Sequence, residues 1–147
     1  MSKLRILLAD DHPVVRHGLR ALLSMEKDME IVGEAENGVD AVELAKARLP
    51  QVVIMDFSMP LLNGAEATRQ IHQAIPSAKV LVLSSYGDRE FVQKFKMAGA
   101  AGYITKEAAA AELLKAIREI HGGRKGFLAY TGNHDQITNN YGKNTEK

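Results

Sequence analysis

The chain of 147 residues contains no cysteine. That excludes a disulfide framework, a thiolate metal site and a cysteine nucleophile, and it suits a reducing cytosol, so cytoplasmic localisation is the expectation. An excess of one charge is missing as well: 19 Lys and Arg against 18 Asp and Glu leave a formal net charge of +1. A strongly basic nucleic-acid binder is disfavoured on that ground, because counterion release needs clustered cations. No apolar run approaches the roughly 20 residues that cross a bilayer, so no membrane partner is expected. Residues 1–9 form a short apolar stretch that meets Asp10 and Asp11, and they fail as a signal peptide. No repeat of fixed period occurs. What is left is a balance of 46% hydrophobic and 25% charged residues over the length of one ordinary globular domain.

Short β-rich runs recur at Leu4–Ala9, 30–34, 52–55, 79–83 and 101–105. The third and fourth are continuously apolar, as strands covered on both faces should be. Helical patterns lie between them. Val15, Leu19, Leu22 and Leu23 form one face of a first helix, with Pro13 suited to its first turn. Asn37-Gly38 opens a second, with Val42, Ala45 and Leu49 on one face, and Asn63-Gly64 a third, with Ala67, Ile71 and Ile75 inward. Phe91, Val92 and Phe95 mark a short fourth that stops near Gly99; Leu113, Ile117 and Ile120 mark a fifth, ended by Gly122-Gly123. Five β-α units imply a parallel sheet with helices on both faces, wound by right-handed crossovers. The domain is expected over residues 3–128, with 129–147 a polar tail or truncated linker, although Phe127, Leu128 and Tyr130 could still pack.

Ligands of an open parallel sheet sit outside the carboxyl ends of its strands. Here the first strand ends in Asp10-Asp11, the third in Asp56, the fourth in Ser84-Ser85 and the fifth in Lys106. The topology thus gathers three carboxylates, a hydroxyl and an ammonium on one rim. Close carboxylates repel, and a hard divalent cation such as Mg²⁺ relieves them while leaving room for a phosphate. Phosphoryl transfer needs little beyond such positioning and charge neutralisation. Taken singly, each group also fits a plain role: a helix start for Asp10-Asp11, a satisfied strand end for Ser84, a solvated amine for Lys106. Asp56 carries more weight, since a carboxylate after an apolar strand is costly unless paired. His12, His17, His72, His121 and His134 show no metal-ligand spacing and read as structural or surface residues.

The segments LRILLADDHPVVRHGLRALL, VVIMDFSMPLLNG, VLVLSS and GAAGYITKEA together resemble a response-regulator receiver domain of two-component signalling, of the NarL/LuxR type. The acidic pair, D-x-x-M-P-x-x-x-G, the serine and the lysine all occur in order. The resemblance implies a doubly wound, flavodoxin-like five-stranded sheet of order 2-1-3-4-5 with five helices. It implies that Asp56 accepts a phosphoryl group from the phosphohistidine of a sensor histidine kinase. Asp11 and Asp56 would bind Mg²⁺ directly, with the backbone carbonyl of Ser58 as a third ligand and Asp10 acting through water. Lys106 would pair with the acyl phosphate, and Ser84 would hydrogen-bond it. Tyr103 falls at the switch aromatic and would turn inward from solvent as the loop 84–88 shifts; Pro60 and Gly64 would shape the loop after Asp56. Such a domain is a signalling switch rather than an enzyme in the ordinary sense, catalysing only its own phosphorylation and slow dephosphorylation.

Two features depart from the pattern. Glu107 follows Lys106 where the family often has proline, and residues 131–147 are too few and too polar to form the helix-turn-helix domain that such receivers usually carry. The chain is therefore expected to be a stand-alone regulator or a fragment of a transcriptional one, and to reach DNA only through a further domain. A homodimer is open as a second partnership. The chief rival is a phosphate-independent pseudo-receiver, which would have lost an acid or the lysine. A dehalogenase-type phosphatase would want an acid where Ser58 stands, and a flavodoxin would want a phosphate loop where DDHPVV stands.

Overall fold

A computed structural model describes residues 3–57, 59–84, 89–123 and 126–130. Strand and helix alternate along them: β1 Leu4–Ala9, α1 Pro13–Ser24, β2 Met29–Ala35, α2 Gly38–Arg48, β3 Val52–Asp56, α3 Gly64–Ala74, β4 Lys79–Ser84, α4 Arg89–Met97, β5 Gly102–Thr105, α5 Lys106–His121 and β6 Leu128–Tyr130. The strands form one parallel sheet of order 2-1-3-4-5-6. Among the described residues no helix is long and apolar enough to cross a membrane.

Burial explains the sequence pattern. Every residue of β3 is buried, and so is all of β4 except Lys79. Successive side chains point to opposite faces. Ile6, Leu8, Ile54, Leu81 and Ile104 pack under α1 and α5, and Leu7, Val53, Met55, Val80 and Val82 under α2, α3 and α4. Helix starts are set by short polar side chains. Asn37 accepts the Asp40 N–H at 2.7 Å, Asn63 the Glu66 N–H at 2.9 Å, and Thr105 the Ala108 N–H at 3.2 Å.

The structure corrects the sequence reading in three places. The sheet has six strands, not five. Leu128 N–H donates to the Ala101 carbonyl at 3.2 Å, and Leu128, Ala129 and Tyr130 register against Gly102, Tyr103 and Ile104. A Cβ on Gly102 would stand 2.9 Å from the Leu128 oxygen, so the glycine lets the sixth strand approach. The boundary drawn at residue 128 therefore runs through β6; residues 131–147 lie outside the described residues. Leu49 was expected on the face of Val42 and Ala45, which are buried, but its backbone is left-handed at the end of α2 (φ 50°) and the residue is 57% exposed. The third correction, at Tyr103, belongs to the site. The Phe91 side chain lies outside the described residues, whereas Val92 and Phe95 are buried as expected.

Candidate functional site

Register brings the polar residues to one level. Ala9 pairs with Met55, Asp56 with Leu83, and Ser84 with Thr105, so Asp10, Asp56, Ser84 and Lys106 all emerge at the same rim. Asp10 is buried and its Oδ1 accepts the His12 N–H at 2.8 Å, a local turn that leads the chain into α1. The His12 ring lies over the acids, with Nδ1 3.0 Å from Asp10 Oδ1, 3.1 Å from Asp11 Oδ1 and 4.0 Å from Asp56 Oδ2. Lys106 Nζ stands on the other side, 3.7 Å from Asp56 Oδ1. The loop after Asp56 is drawn in tightly. Gly64 N–H donates to the Phe57 carbonyl at 3.1 Å, and a Cβ on Gly64 would stand 2.3 Å from the backbone carbonyl oxygen of Asp56. The Pro60 carbonyl accepts the Leu62 N–H at 2.8 Å.

Lys106 and His12 compensate the charge of this cluster only in part. Asp10 Oδ2, Asp11 Oδ1 and Asp56 Oδ2 are buried and make no hydrogen bond among the described residues. Burial, then the neighbouring charge of Asp10, push the Asp56 carboxyl up to about 6; Asp11 adds to the rise, and Lys106 and His12 pull against it. One ligand atom from each of Asp10, Asp11, His12 and Asp56 falls within a 4.8 Å span. Converging carboxylate oxygens without hydrogen bonds are a donor set that suits a hard divalent cation such as Mg²⁺.

On the far side of the rim the picture is different. Ser84 is buried at the end of β4. Tyr103, expected to start from solvent, has its ring wholly buried. The pleat of β5 turns it toward α4, where it packs on Phe95 at 5.9 Å between ring centroids; Phe95 in turn meets Phe57 edge-on at 5.4 Å. The Lys106–Glu107 peptide is trans. Ser58 and residues 85–88 lie outside the described residues.

Sequence reasoning missed His12. A test for metal-ligand spacing among histidines does not detect one whose ring nitrogen sits beside carboxylates; the signal was its place directly after two acids.

A family model for the response regulator receiver domain matches residues 6–118. This chain belongs to that family. Among curated relatives of the receiver, the transcriptional regulatory protein DegU of Brevibacillus brevis is 40% identical over 139 residues, which cover 95% of this chain and 56% of DegU. The response regulator UvrY of Escherichia coli is 41% identical over 122 residues, 83% of this chain and 56% of UvrY. The receiver therefore spans little more than half the length of these regulators. Among solved structures, a two-component response regulator of the LuxR family from Aurantimonas superposes with a TM-score of 0.85 at 35% identity, covering 99% of this chain and 100% of that one.

Proposed function

We propose that this receiver domain is a phosphorylation switch in which Asp56 accepts the phosphoryl group. The observation that carries the reading is the set of buried carboxylate oxygens on Asp10, Asp11 and Asp56 that make no hydrogen bond among the described residues, beside the Lys106 ammonium. An oxygen of Asp56 forms the new bond to phosphorus as the donor's nitrogen–phosphorus bond breaks, and the electron pair leaves with the donor imidazole. Asp56 needs no general base, since it reacts as the carboxylate. Lys106 would receive charge that develops on the phosphoryl oxygens, and Ser84, one residue beyond the ladder partner of Asp56, would hydrogen-bond one of them. Mg²⁺, held by Asp11, Asp56 and the Ser58 carbonyl with Asp10 acting through water, would neutralise the acids and the incoming phosphate.

The phosphodonor is a sensor histidine kinase. An apolar groove of about 420 Å³ between α1 and α5 supports a helical donor surface. It opens beside Lys106, with Val14 84% exposed on its wall. Tyr103 and Ser84 carry the response: the buried ring is one of two packings, and phosphate biases them only by as much as its affinity differs between them. By analogy with the longer transcriptional relatives, the output is control of transcription through a further domain.

The test is incubation with acetyl phosphate followed by intact-mass measurement. Phosphorylation should require Mg²⁺ and should vanish in Asp56→Asn. Equal labelling in chelator refutes the metal role, and label persisting on Asp56→Asn moves the acceptor elsewhere.

A further inference from the structure

Arg16, in the first turn of α1, is the group that ties the acidic pair to the rest of the fold. Its guanidinium is engaged on three sides and only 12% of the side chain is exposed. One amino group donates to the backbone carbonyl of Asp10 at 2.6 Å. Nε donates to Glu34 Oε1 near the end of β2 at 3.1 Å, and the second amino group lies 3.8 Å from Glu36 Oε2. The Asp10 N–H, on the other side of that residue, donates to the Ala35 carbonyl at 3.0 Å. The peptide that joins Asp10 to Asp11 is thus fixed through its oxygen, and that peptide sets the direction in which both carboxylates leave the backbone. Glu34 takes Arg16 with one oxygen and Arg20 with the other, so Glu34 is a clamp that holds Arg16 in place.

We infer that Arg16, clamped by Glu34, is a positioning residue for cation binding by Asp10 and Asp11. The inference rests on the metal reading above. The geometry suits arginine and not lysine, because a planar fork satisfies the carbonyl and the carboxylate together, while an ammonium is a single centre on a flexible stem. Repulsion between neighbouring carboxylates would otherwise push the two acids apart, and an outer partner of this kind holds ligand oxygens in register before the cation arrives.

The test is a Mg²⁺ titration followed by amide NMR of Asp10, Asp11 and Asp56, well below the melting temperature, with each variant's melting temperature measured alongside. Arg16→Gln should weaken Mg²⁺ binding about tenfold, at the low end of what loss of an outer partner costs a metal site. Arg16→Lys should fall between it and the wild type, and Arg20→Gln should leave the affinity unchanged. A lowered melting temperature with wild-type affinity in Arg16→Gln would make Arg16 purely structural and overturn the inference. Should Arg16→Gln fail to fold, Arg16→Lys decides, and unchanged affinity there overturns it equally. Absence of Mg²⁺ binding by the wild type would sink the metal reading and this inference with it; wild-type binding with indifferent Arg16 variants sinks this inference alone.

Discussion

The two halves of the rim are built on opposite principles. On the β1 and β3 side, Asp10, Asp11 and Asp56 crowd together with buried oxygens that make no hydrogen bond among the described residues. On the β4 and β5 side, Tyr103, Phe95 and Phe57 fill space edge to face, and the Tyr103 ring has no exposed surface. The first half is well placed and electrostatically strained, so it responds to charge. The second is well packed, so it changes only by exchanging one close packing for another. Asp56 belongs to both, because Phe57 follows it directly and opens the aromatic row. A switch needs this pairing: a place where a ligand supplies a large energy difference, and a packed element with discrete alternatives on which to use it.

Substitutions should separate the halves. The largest effect is expected in the packed one: Phe95→Ala should cost about 3–5 kcal/mol in chemical denaturation, as for a buried aromatic cut to alanine, while Mg²⁺ affinity at the acids is kept. A parallel loss of Mg²⁺ affinity would show that the halves are not separable. In the strained half the sign reverses. Asp56 rises from 3.8 to about 6, so the native carboxyl holds its proton more tightly than the unfolded one. Stability is therefore greatest below pH 3.8 as far as this group is concerned, falls between there and about pH 6, and the cost is complete above that. Asp56→Asn should stabilise the fold above pH 6, by about 1–2 kcal/mol once solvent screening and the lost Lys106 attraction are allowed for, with the advantage shrinking toward pH 4. Denaturation of both proteins across this range checks it, and a variant less stable at pH 7.5 would contradict the strain. The smallest effect belongs to neither half. Leu61 is 79% exposed with a left-handed backbone (φ 72°). Leu61→Gly should raise stability by about 0.5–1 kcal/mol, and an unchanged melting temperature would mean that the conformation costs nothing.

Much of this was legible in the sequence, for physical reasons. Continuous apolar runs as short and β-branched as those of β3 and β4 suit covered strands better than helices, and the asparagines of the Asn-Gly pairs ahead of α2 and α3 cap those helices. The gathering of Asp10, Asp56, Ser84 and Lys106 followed from parallel topology alone, since strand ends share one edge. Other features were hidden because they depend on neighbours distant in sequence. β6 is three residues long between glycines and forms only because Gly102 leaves room for it. Leu49 fits the helical period but falls on the residue where the backbone turns left-handed. The direction of Tyr103 depends on the space offered by Phe95, and the roles of His12 and Arg16 exist only once the chain brings the acids and Glu34 beside them.

The central claim is that relief of charge in one half is converted into repacking in the other. Amide NMR with Mg²⁺ and the phosphoryl mimic beryllofluoride tests it most directly, in the wild type and in Ser84→Ala. Shifts in the wild type should spread from Asp11 and Asp56 to Tyr103 and the residues of α4, and in Ser84→Ala they should stay near the acids. Shifts around Tyr103 and α4 as large in Ser84→Ala as in the wild type, or a wild-type response confined to the acids, would contradict the account.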